Sequence, residues 1–166
     1  DNPGYRIWAV YANRSLHSLH QQGVEEAWRM QKQPGDFPWQ KVELIHINDV
    51  LEGIFAGEAF STADYSFDYN AAARQYLLSV DSGTLPARCD ALFIDESQDI
   101  GQSVLELLLA LVRADSRQQT RPAHIFYDHA QNLYDQKPPV WSDLGISESR
   151  IDLMTESYRS TRPILE

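Results

Sequence analysis

The sequence contains a single cysteine, Cys89, among its 166 residues. One thiol excludes an internal disulfide and a multi-cysteine metal site. Apolar runs are short, none approaching the roughly 20 residues that cross a bilayer, so no membrane partner is expected. The amino terminus, Asp1-Asn2-Pro3-Gly4, lacks the basic segment and apolar stretch of a signal peptide. Together these absences suggest a reducing, cytoplasmic setting. Basic residues are scarce in the middle of the chain. Between positions 43 and 106 there are 12 acidic residues and 2 basic ones, Arg74 and Arg88, which account for the whole net charge of −10. Proteins that grip nucleic acid through phosphates usually carry a basic surface. The chain alone is therefore expected to bind DNA weakly.

What is present belongs to a folded domain. The content is 43% hydrophobic and 11% aromatic, and the length fits one ordinary domain with a substantial core. Short β-rich runs alternate with helical stretches, which predicts an α/β sheet with helices on both faces. Tyr5 to Tyr11 reads as the first strand. Leu16, Leu19, Val24, Ala27 and Trp28 recur at helical spacing between Ser15 and Met30, and Pro34-Gly35 ends that helix. Val42 to Ile47 reads as a strand, Asp49 to Phe55 as a short helix, and 56–68 as loop. A helix over Tyr69 to Val80 and a turn-rich connection through Pro86 follow.

The strand Ala91-Leu92-Phe93-Ile94 is short and apolar, as a strand buried on both faces would be. It runs into Asp95-Glu96-Ser97-Gln98-Asp99, and a largely apolar helix follows from about Gly101 to Arg113. Ala123 to Tyr127 reads as another strand, stopping at Asp128. Ile151 to Met154 reads as the last strand, and Thr161-Arg162-Pro163 as a helix start. In open parallel sheets, ligands sit beyond the carboxyl ends of the strands. Two adjacent carboxylates there are costly to desolvate unless a cation or hydrogen bonds compensate. Magnesium bound to nucleotide phosphates would provide that compensation.

Three segments together resemble superfamily 1, UvrD/Rep-like ATP-dependent DNA helicases. Asp95-Glu96-Ser97-Gln98-Asp99 resembles their Walker B motif, Asp-Glu-x-Gln-Asp. Asp128-His129-Ala130-Gln131-Asn132-Leu133-Tyr134 resembles their third motif, with Tyr127 in place of a glycine. Met154-Thr155-Glu156-Ser157-Tyr158-Arg159-Ser160 resembles the fourth, Asn-Tyr-Arg-Ser, with Ser157 in place of the asparagine. Tyr11-Ala12-Asn13-Arg14-Ser15-Leu16 is similar to the Phe-Thr-Asn-Lys-Ala segment of the family. His46-Ile47-Asn48-Asp49 stands where Thr-Phe-His-Ser is frequent.

The resemblance implies part of a first motor domain across residues 1–166. The fold would be that of a P-loop NTPase (RecA-like), a three-layer α/β/α arrangement with a mainly parallel sheet, incomplete at its amino terminus. Its cofactors would be ATP and Mg2+. It implies Asp95 as the magnesium ligand and Glu96 as general base toward the attacking water. Gln131 would contact the γ-phosphate, and Arg159 would stabilise charge on the transferred phosphoryl group. Tyr11 and Tyr134 become candidates for stacking on single-stranded DNA, with Asn13 and Arg14 beside them. The partners implied are single-stranded DNA, or a single/double-strand junction, and the remaining helicase domains.

The sequence also departs from the family. It has no Gly-Lys pair, so the Gly-x-x-x-x-Gly-Lys-Ser/Thr loop that cradles phosphates is missing. In the family that loop lies just before the strand matching Tyr5 to Tyr11, so these 166 residues alone are expected to be inactive. The tryptophan that commonly follows the third motif is displaced, Gln136 standing near its place and Trp141 five residues later.

Other readings compete. His17 and His20 are three apart on a predicted helix, a spacing that suggests metal binding, but no carboxylate pair joins them. Asp90, Asp95, Glu96 and Asp99 would have to converge from different strands to form a metal-dependent nuclease. A third reading is a degenerate helicase-like scaffold or partner-binding module without ATPase activity.

Overall fold

Stretches rich in isoleucine, valine and aromatic residues become the strands of one parallel sheet, because branched and aromatic side chains pack well on a pleated surface. The structure is a computed structural model that describes residues 4–55, 68–80, 85–115, 120–128 and 137–152. Its strands are β1 (Ile7–Tyr11), β2 (Val42–His46), β3 (Ala91–Asp95) and β4 (Ala123–Ile125). They lie in the order β2-β1-β3-β4, every described pair parallel. The helices are α1 (His17–Met30), α2 (Ile47–Phe55), α3 (Tyr69–Ser79) and α4 (Gln102–Ala110). The chain is thus an α/β protein.

The core lies on one face of the sheet. Val10, Leu92 and Ile94 project to it and meet Val50, Leu51 and Phe55 of α2, Ala73 of α3, and Leu105, Leu107 and Leu108 of α4. Trp8, Ile45, Ala123 and Ile125 pack against its margin. The apolar circumference expected of α4 is thereby explained. Its first turn is held from α3, where Asn70 Oδ1 accepts from the Ser103 amide at 2.8 Å. That approach requires Gly101, since a β-carbon there would lie 2.5 Å from Asn70 Oδ1.

The opposite face is covered more thinly. Phe93 is 37% exposed and stacks on His124 at 5.0 Å. α1 begins on this side, yet buries none of its residues, and Leu19 is 58% exposed. Helical periodicity located α1 correctly, but its apolar stripe does not enter the core. Helices on both faces are therefore seen firmly on one side and weakly on the other, among the described residues.

Boundaries shift by a few residues. The expected strand through Ile47 ends at His46, because α2 starts at once. The His46 ring makes that abrupt start possible by accepting from the Asn48 amide at 3.1 Å. α4 stops at Ala110, and β4 at Ile125. Ile151 and Asp152 lie in no strand, and the remainder of that expected strand, with the helix expected at Thr161, lies outside the described residues. No helix among the described residues is long and apolar enough to cross a membrane.

Candidate functional site at the carboxyl edge of the sheet

β1 is the pivot of the topology. From it the chain crosses to β2 on one side, then returns past it to β3 on the other. Right-handed crossovers place the intervening helices on opposite faces, as observed: α1 meets the Tyr11 side, while α2, α3 and α4 share the core. The loops after β1 and β3 therefore leave in opposite directions, which makes the carboxyl ends of these two strands the switch point, the place where open parallel sheets form a ligand crevice. The residues flanking it are Tyr11 and Asp95, partners in the β1–β3 register, with His46 opposite Tyr11 on β2.

Asp95 and Glu96 thus stand where the sequence places them, at the end of a strand beside a switch point. The Asp95 side chain is 42% exposed, and its Oδ2 lies 3.5 Å from His20 Nε2. His20 Nε2 is buried and has no hydrogen-bond partner among the described residues. Glu96 adopts left-handed backbone angles, φ 54° and ψ 42°. This conformation costs a non-glycine residue on the order of 1–2 kcal/mol. Its neighbours hold it there. Ser97, fully buried, donates both its amide (3.0 Å) and its hydroxyl (2.7 Å) to the Phe126 carbonyl. Asp99 closes a turn onto the Glu96 carbonyl at 3.2 Å.

Gln98 completes the loop and is 3% exposed. Its side-chain amide donates to Glu96 Oε2, while its Oε1 accepts from the Asp128 amide at 3.1 Å. Asp99 faces the same loop with one buried oxygen, Oδ1, that has no hydrogen-bond partner among the described residues. Burial, and secondarily the Glu96 charge, push its carboxyl above the ordinary range.

Tyr11 is 5% exposed. Three imidazoles surround its ring, His17 at 5.7 Å, His20 at 5.5 Å and His46 at 5.5 Å between centroids. Its hydroxyl lies 2.7 Å from His17 Nδ1. Burial pushes the phenol above its ordinary range, so the hydroxyl stays protonated. In this arrangement Tyr11 forms a wall of the crevice, and a nucleotide base would reach its ring only by displacing α1. Asn13 caps the short 3-10 turn over Arg14–Leu16, accepting from the Ser15 amide at 3.0 Å and the Ser15 hydroxyl at 2.7 Å. Arg14 is exposed and pairs with Asp49 at 2.6 Å. Such a surface pair is weak enough for an incoming phosphate to replace.

Gln131, Tyr134 and Arg159 lie outside the described residues, as does the whole fourth motif. Trp141 packs edge-on against Tyr127 at 5.6 Å, next to Asp128. The His17/His20 pair meets Tyr11 and Asp95, and no cluster of three metal-ligating side chains forms among the described residues. A nuclease centre that includes Asp90 is contradicted by position. Asp90 begins the other end of β3, five residues or roughly 16 Å from Asp95. There it is buried, accepting from the Arg6 amide at 2.7 Å and pairing with Arg113 at 3.2 Å. Cys89 beside it is no nucleophile, because burial pushes its thiol up to about 11.

Sequence reasoning named Gln98 within its motif without a role of its own, and missed the imidazole cage of Tyr11. The signal for the cage was the helix beginning six residues after Tyr11, with His17 and His20 about one turn apart. No family model, no curated protein and no solved structure matches this chain.

Proposed function

We propose that this chain supplies one half of a nucleotide site in a superfamily 1, UvrD/Rep-like motor protein that hydrolyses ATP to move along single-stranded DNA. The observation carrying this reading is the placement of Asp95 and Glu96, adjacent carboxylates at the end of a central parallel strand beside the crevice where such sheets bind ligands. The strained backbone of Glu96 adds support, since strain of this kind concentrates at functional positions.

Asp95 is suited to hold magnesium, because its carboxylate is accessible and offers the hard oxygen donor that this ion takes. What the ion supplies when bound is neutralisation of phosphate charge. Glu96 accepts the proton of the attacking water through its carboxylate, with one oxygen held by Gln98 and the other left for the water. By resemblance, Gln131 addresses the γ-phosphate and Arg159 the transferred phosphoryl group. By the same resemblance Asn13, Arg14 and Tyr134 belong to the DNA side, next to Tyr11, whose ring is enclosed by three imidazoles. The phosphate-cradling loop would, again by resemblance, stand just before β1, and the remaining helicase domains would supply further cationic groups.

The test is DNA-stimulated ATP hydrolysis by the full-length protein. Glu96→Gln keeps the shape and still accepts from Gln98, but cannot take a proton. It should lower turnover by roughly 100-fold or more. Unchanged turnover would remove Glu96 from the chemistry, whereas no turnover in the wild-type protein would favour a scaffold or partner-binding module.

A further inference from the structure

Gln98 joins two segments that the topology brings together but the backbone does not. Glu96 opens the loop after β3, and Asp128 lies three residues beyond β4, 32 positions along the chain from Glu96. The Gln98 amide group bridges them with both of its ends in use. Its orientation is fixed chemically. The Asp128 backbone points its N–H at Gln98, so the amide oxygen faces it, and the amide nitrogen faces the Glu96 carboxylate. Because the side chain is 3% exposed, water does not readily replace either bond. The neighbouring Ser97 ties the same two segments through the Phe126 carbonyl. The carboxylate of Glu96 is therefore positioned from β4 as well as from its own strand.

We propose that Gln98 is a positioning residue that couples the backbone at Asp128 to the Glu96 carboxylate, so that the backbone beyond β4 controls where the base stands. The proposal rests on the reading of Glu96 as general base. The coupling itself is nevertheless measurable without catalysis.

Two experiments on the full-length protein decide it. The first is a double-mutant cycle in ATP hydrolysis. Gln98→Met keeps the buried volume and removes both hydrogen bonds. It should lower kcat roughly 10- to 100-fold, the cost of a misplaced catalytic group, while KM for ATP changes less than about threefold. In the Glu96→Gln background, Gln98→Met should have no further effect, because the group it positions no longer acts. A general structural defect would instead lower activity equally in both backgrounds, and such additivity overturns the positioning role.

The second experiment is amide hydrogen exchange at Asp128 without nucleotide. Exchange should accelerate in Gln98→Met, and also in Glu96→Ala, which releases the far end of the bridge. Glu96→Ala should have no added effect once Gln98 is methionine. Asp128 exchange indifferent to Gln98→Met would overturn the link. If the wild-type protein hydrolyses no ATP, the functional reading falls, and the exchange experiment alone decides the coupling.

Discussion

Tyr11 and Asp95 are register partners at the carboxyl ends of β1 and β3, and the imidazole of His20 touches the environment of both. The ring holds His20 at 5.5 Å, and His20 in turn stands 3.5 Å from the Asp95 carboxylate. Tyr11 therefore shapes the crevice through packing. Tyr11→Ala should cost about 3–5 kcal/mol of stability, as removing a buried aromatic does. Tyr11→Phe should cost only about 1 kcal/mol, the loss of one hydrogen bond to His17. Urea unfolding measures both. A cost below about 1 kcal/mol for Tyr11→Ala would show the ring is open, and would restore it as a stacking platform.

His46 makes stability depend on pH. Its Nδ1 accepts from the Asn48 amide and its Nε2 donates to the Ala12 carbonyl at 2.8 Å, a pattern only the neutral ring satisfies. Burial, the largest influence, lowers its pKa below the ordinary 6.5, against an opposing contribution from the Ala12 carbonyl. Between the lowered folded value and 6.5 the unfolded chain binds more protons, so stability rises with pH. The stabilisation is full above about pH 6.5, shrinks as pH falls below it, and stops shrinking once the folded ring is itself protonated. Thermal unfolding from pH 7.5 to 5 should show Tm falling on the acid side, and His46→Gln should remove part of that fall. An identical pH profile in the two proteins would refute the assignment.

The strands and helices were legible because their signals are local. Val42 to His46 and Ala91 to Ile94 carry branched apolar residues bounded by turn residues, and Leu105, Leu107 and Leu108 recur on one helix face. The Asp95-Glu96 pair was legible for the same reason, being the polar end of an apolar strand. What escaped was tertiary. Leu19 sits on a periodic apolar stripe yet stays exposed, since periodicity says which face could be buried and not whether anything covers it. Gln98 is legible as the glutamine of the Asp-Glu-x-Gln-Asp segment, but its hydrogen bond to the Asp128 amide shows only once β4 lies beside it. Asp90 resembles Asp95 in sequence, and only the direction of β3 separates the structural carboxylate from the candidate one.

The carboxyl end of α1 offers a stability change remote from the crevice. Beyond the cap at Gln31, Lys32 adopts the left-handed conformation with φ 53°. Its amide donates to the Arg29 carbonyl at 3.0 Å, and the Gln33 amide to the Trp28 carbonyl at 3.4 Å. These two bonds form a Schellman motif, whose left-handed position is usually glycine. A lysine there bears a steric cost on the order of 1–2 kcal/mol, whereas glycine costs roughly 0.5–1 kcal/mol more chain entropy. Lys32→Gly should therefore stabilise the protein by about 0.5–1 kcal/mol. In urea unfolding the midpoint should rise with the slope unchanged, because the surface exposed on unfolding stays the same. A lower midpoint would mean that Lys32 makes a stabilising contact that outweighs its backbone strain.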